Sequence, residues 1–80
     1  MKELTKKCFD ILHNKMLAIA SYKEGYEYGL SCRSKFEKMS AFELKTARRM
    51  YINLNTQYTA GLARVCFEIM YESNRQGEAA

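Results

Sequence analysis

Eighty residues make one domain at most, and a chain of this size buries only about 60% of its unfolded surface, so self-association is the cheapest extension of its core. Apolar residues at 48% and aromatic residues at 12% exclude a disordered tail. The net charge of +4 is local: residues 33 to 49 hold six basic side chains against two acids, residues 1 to 32 five against four, and residues 50 to 80 two against three.

Helices are the expected elements, because proline is absent and the four glycines, Gly25, Gly29, Gly61 and Gly77, do not mark strands or tight hairpins. In the first half, Phe9, Leu12, Met16, Ile19, Tyr26 and Leu30 recur at helical spacing and predict a helix over residues 2–37. Gly25 and Gly29 each weaken it by about 1 kcal/mol relative to alanine, leaving open whether it bends there or lets a second backbone approach. Ser40-Ala41-Phe42-Glu43 fits a capping box, so a second helix should start at Ala41. Its stripe is Ala47, Met50, Tyr51, Leu54, Tyr58, Gly61, Leu62, Val65 and Ile69, and the helix is expected over residues 41–75.

These elements predict an all-α antiparallel helical hairpin over residues 1–75, two rods of roughly 50 Å at 1.5 Å per residue, with a flexible tail over residues 76–80 beginning near Gly77. Leu4, Ile11, Leu17, Ile52 and Phe67 fall off the main stripes, so a homodimer closing into a four-helix bundle is expected. That shape is similar to the repressor-of-primer family and other small phage or plasmid regulators.

Cys8, Cys32 and Cys66 are odd in number with no CxxC pair, and no apolar signal core stands at the N-terminus; free thiols in a reducing cytoplasm are expected. The apolar stretch from Met16 to Ala20 is far short of the roughly 20 residues that cross a bilayer. His13 is the single histidine and no phosphate loop, nucleophile elbow or paired-acid constellation is present, so no catalytic residue, metal site or cofactor is expected. Cys8, His13 and Cys66 could approach in an antiparallel pair, but they lack a fourth ligand and read better as structural residues.

Two binding surfaces are expected. The basic residues Arg33, Lys35, Lys38, Lys45, Arg48 and Arg49 surround the predicted joint and should gather at one tip, where they suit phosphates or an acidic protein surface. Six tyrosines are many for this length, and tyrosine favours interfaces. The protein-contact set is Tyr22, Tyr26, Tyr28 and Met39; Tyr22 and Tyr28, off the stripe, are its best members, while Tyr26 also fits the core.

Gly25-Tyr26, Gly29-Leu30 and Arg33-Ser34-Lys35 resemble the Gly-Tyr-x-x-Gly-Ile-x-x-Arg-Ser-Lys segment of the ribosome modulation factor family, over eleven residues. The resemblance implies a two-helix protein that binds ribosomal RNA on the small subunit and idles ribosomes. The family's tryptophans and Cys-Pro-Tyr linker have no counterpart here. The expected function is therefore a non-enzymatic inhibitor or adaptor of a larger host protein or nucleoprotein machine, of the kind phages and mobile elements encode, with RNA binding through the basic tip as the alternative.

Overall fold

A computed structural model describes the backbone of residues 2–79 and the side chains of residues 5–72. Five α-helices follow one another: α1 (Lys2–Met16), α2 (Ala20–Ser31), α3 (Arg33–Glu37), α4 (Ala41–Asn53) and α5 (Gln57–Ala79). The all-helical class is as expected; the two uninterrupted rods are not. The longest dimension is 38 Å, because each expected helix is broken and folded back.

The first break, at residues 17–19, contains no glycine or proline. The N–H groups of Ala18 and Ile19 donate to the carbonyls of Lys15 and Met16, tightening the last turn of α1, and Ile19 then becomes extended at φ −88°, ψ 117°. Gly25 and Gly29, by contrast, lie inside α2, which runs through both. A second, slighter interruption falls at Cys32, whose φ of −102° and ψ of 9° bend the chain into α3.

The capping box forms as expected. Ser40 Oγ accepts from the Glu43 N–H at 3.1 Å while the Ser40 N–H donates to Glu43 Oε1 at 2.9 Å, and that bond from the backbone holds the Glu43 carboxyl below its usual range. The expected second helix then splits at Asn55, which takes the left-handed conformation at φ 56°. Asparagine tolerates this region better than most residues. Thr56 restarts the chain, its hydroxyl accepting from the Thr59 N–H at 3.0 Å. At the far end, α5 continues through Gly77 to Ala79 instead of stopping near Arg75. The flexibility expected of residues 76–80 concerns side chains outside the described residues, as does the expected role of Leu4.

α5 is the central element. Its Leu62, Ala63, Val65, Cys66 and Ile69 are buried, and with Phe36 and Leu44 they form the core. α2 crosses α5 in close backbone contact. A Cβ on Gly25 would collide with the Tyr58 carbonyl, one on Gly61 with the backbone of Tyr22 and Tyr26, and one on Gly29 would lie 2.7 Å from Val65 Cγ2. The glycine pair is thus a crossing site and not a bend. α4 covers another side of α5 through Leu44, Ala47 and Tyr51.

The stripe expected for the first half is out of phase with the core. Leu12, Ile19 and Leu30 are exposed, whereas Tyr22, Gly25 and Gly29 are buried. The break at residues 17–19 resets the helical phase, and the buried face of α2 carries two glycines and only Tyr22 to advertise it. Phe67, expected to lie uncovered, packs edge-on against Phe9 of α1 with ring centroids 5.2 Å apart.

Candidate protein-binding groove

α1 is held to the body by long side chains. Arg64 of α5 donates to Asp10 at 2.7 Å and to Glu68 at 2.8 Å, and Lys6 pairs with Asp10 at 2.6 Å. The hydrogen bond from Lys6, and then that from Arg64, keep the Asp10 carboxyl below its ordinary value. Tyr26 Oη donates to Glu68 at 2.9 Å, and burial followed by this bond pushes its phenol up to about 12. His13 Nδ1 lies 2.6 Å from Tyr22 Oη, with the imidazole 4.6 Å from the Tyr26 ring. Burial lowers His13 and raises Tyr22, so both are neutral near pH 7. Among the described residues, no buried side-chain nitrogen or oxygen lacks a partner.

This bracing holds α1 away from α4 and leaves an open groove between them, with a cavity of about 130 Å³. Three helical stripes build it. Phe9, Leu12 and Met16 form the α1 wall, Arg48 and Ile52 the α4 wall, and Ala60, Ala63 and Phe67 the floor on α5, with His13 and Tyr22 at the base. The small alanines create the depth. Leu12 at 52% exposure and Ile52 at 48% leave apolar side chains on both rims. Pockets for small-molecule ligands run to about 300–1,000 Å³, so the space suits one or two apolar side chains of a partner better than a cofactor.

Two guanidinium groups lie over the Phe67 ring, Arg48 at 5.6 Å and Arg64 at 5.3 Å from its centroid. Arg64 is neutralised by two carboxylates. Arg48 pairs with no carboxylate among the described residues, so it brings uncompensated positive charge to the groove.

The sequence-predicted sites are only partly brought together. Of the six basic residues, Arg33 turns to Glu37 and Glu72, Arg48 lies over Phe67, and Lys35, Lys38, Lys45 and Arg49 are exposed. Within the contact set, Tyr22 is a correction. The reset of phase at residues 17–19 turns it inward, where it is 3% exposed. Tyr26 is bound to Glu68 and Met39 is half-buried against the core; Tyr28 is exposed, its ring 6.3 Å from that of Tyr58. Outside the groove lining, Phe42 and Met50 of α4 and Leu54 at its C-cap are exposed apolar side chains, with Phe42 at 79% exposure.

The groove itself was missed by sequence reasoning. Its signal was present in Ala60 and Ala63, small residues three apart facing larger apolar ones, but their significance depends on α1 folding back. The thiols of Cys8, Cys32 and Cys66 are free, and Cys66 is fully buried, which pushes it up to about 11. Among the described residues, no group of histidine, cysteine or acidic side chains could hold a metal, and no helix is long and apolar enough to cross a membrane. No family model, curated protein or solved structure matches the chain.

Proposed function

We propose that this protein is a non-enzymatic binding module, a stoichiometric inhibitor or adaptor of a larger host protein machine, of the kind phages and mobile elements encode for work in the cytoplasm. The observation that carries this reading is the α1–α4 groove, which presents apolar rims at Leu12 and Ile52 around a cavity of side-chain size. Exposed apolar side chains grouped around a shaped depression favour a macromolecular partner, whose anchor residue fills the depression while its neighbours exclude water. The exposed apolar side chains of Phe42, Met50 and Leu54 support self-association into a homodimer as a separate contact.

The exposed Lys35, Lys38, Lys45 and Arg49 favour a second reading, in which the partner is RNA, as the likeness to the ribosome modulation factor family implies. The test is affinity capture from a host extract with and without nuclease, followed by native mass spectrometry. An equimolar protein complex that survives nuclease supports the inhibitor or adaptor reading. Capture that disappears with nuclease overturns it in favour of RNA.

A further inference from the structure

The two walls of the groove differ in chemistry. Phe9, Leu12 and Met16 stand at i, i+3 and i+7 on α1 and give an apolar wall about two turns long. On α4, Lys45, Arg48, Arg49 and Ile52 stand at i, i+3, i+4 and i+7, so the lining residues Arg48 and Ile52 share one stripe with the exposed Lys45 and Arg49, which lie outside the lining. The single acid of α4, Glu43, is held at the opposite flank of its first turn by the capping box. Across the groove, Asp10 is occupied by Lys6 and Arg64. No acid among the described side chains offsets Arg48.

Building on the binding-module reading, we propose that the groove takes an acidic amphipathic helix of the partner protein. One or two large apolar side chains enter the cavity over Ala60 and Ala63, and carboxylates one turn away face Lys45, Arg48 and Arg49. Two turns of a helix match the length of the walls, and an apolar stripe flanked by acids complements one apolar and one basic wall. Arg48 is already positioned by the Phe67 ring, so a carboxylate meets a guanidinium ordered before binding. A basic helix would place like charges against the α4 stripe, and a neutral one would leave Arg48 unpaired under the partner.

The experiment selects binders from a displayed library of short helical peptides with randomised anchor and flanking positions, against the full-length protein. The strongest binder is then synthesised and titrated by NMR. The expected winner has a large apolar anchor with aspartate or glutamate three or four residues away, and shifts the amides of Ile52, Ala60 and Ala63. Ile52→Glu, at an exposed position, should weaken it at least tenfold. Arg48→Glu should do the same and be rescued by the lysine version of that peptide. Ala60→Leu, which fills the groove from a half-buried position, provides a variant independent of charge and should also lose the peptide. Winners without acids, shifts located elsewhere, or affinity indifferent to Ile52→Glu overturn the inference. Selection of a winner whose binding is blocked by single-stranded RNA at Lys35 and Lys38, away from the groove, also overturns it. An equimolar cellular complex that persists with Ile52→Glu refutes the groove occupant and leaves the binding-module reading standing.

Discussion

Tyr22 Oη and His13 Nδ1 lie 2.6 Å apart, and this contact joins the end of α1 to the start of α2 across the break at residues 17–19. Replacing Tyr22 by Phe keeps the ring and leaves the buried imidazole without its partner, which should cost about 1–3 kcal/mol. Urea denaturation of the two proteins at pH 7.5 to 8, about one unit above the histidine range, measures it. An unchanged stability would mean that the pair does not hold α1.

The same pair gives a pH dependence of known sign. Burial lowers His13 from its ordinary 6.5, so the unfolded chain takes up the proton first. The contribution is fully present above 6.5 and is lost as the pH falls from there towards the folded value. The His13→Gln protein should lack that part of the slope. Stability that rises on acidification through this window in the wild type, relative to His13→Gln, would contradict the burial of a neutral imidazole.

Gly25 and Gly61 provide a test of the α2–α5 crossing. In an unobstructed helix, glycine to alanine gains about 1 kcal/mol. Here each added Cβ meets backbone that cannot swing aside, so Gly25→Ala and Gly61→Ala should each destabilise by about 1–3 kcal/mol. Thermal unfolding decides the sign, and a gain at either position would rule out the close approach.

How much of this was legible in the sequence depends on whether a signal was local. The cap at Ser40 and Glu43 was readable because both partners lie within one turn. The buried line of Leu62, Val65 and Ile69 was readable because α5 is uninterrupted there. The break before Ala20 was not, since it contains neither glycine nor proline and goes with α1 docking through Asp10 and Phe9 on Arg64 and Phe67, partners distant in sequence. That one omission carried Tyr22 to the wrong side of its helix and concealed the groove. Asn55-Thr56, with Thr59 three residues later, was a readable stop and restart that the apolar periodicity overrode.

That restart can be tested directly. Thr56→Ala should cost about 1 kcal/mol as the loss of an N-cap. Asn55→Val, which places a β-branched residue at φ 56°, should cost more, whereas Asn55→Gly should be tolerated. Equal effects of valine and glycine in chemical denaturation would argue for an unbroken helix from Ala41 onwards.

Lys35 and Lys38 separate the two partner classes because they lie outside the groove lining. Changing both to Gln should leave a protein complex nearly intact, exposed charges of this kind being worth about 0–1 kcal/mol. If the partner is single-stranded RNA and both lysines touch phosphates, the slope of log affinity against log salt should become shallower by about 1.4. Salt titration of the purified complex distinguishes the two.

The central claim, that the chain works by docking a protein at the α1–α4 groove, is tested most directly by parallel capture from nuclease-treated host extract with the wild type and Ile52→Glu. Ile52 is half exposed on the rim, so the fold should survive the substitution, which circular dichroism of the variant checks. The account predicts an equimolar protein complex with the wild type that is lost with Ile52→Glu. A complex equally abundant on both, or one that nuclease removes from the wild type, would contradict it.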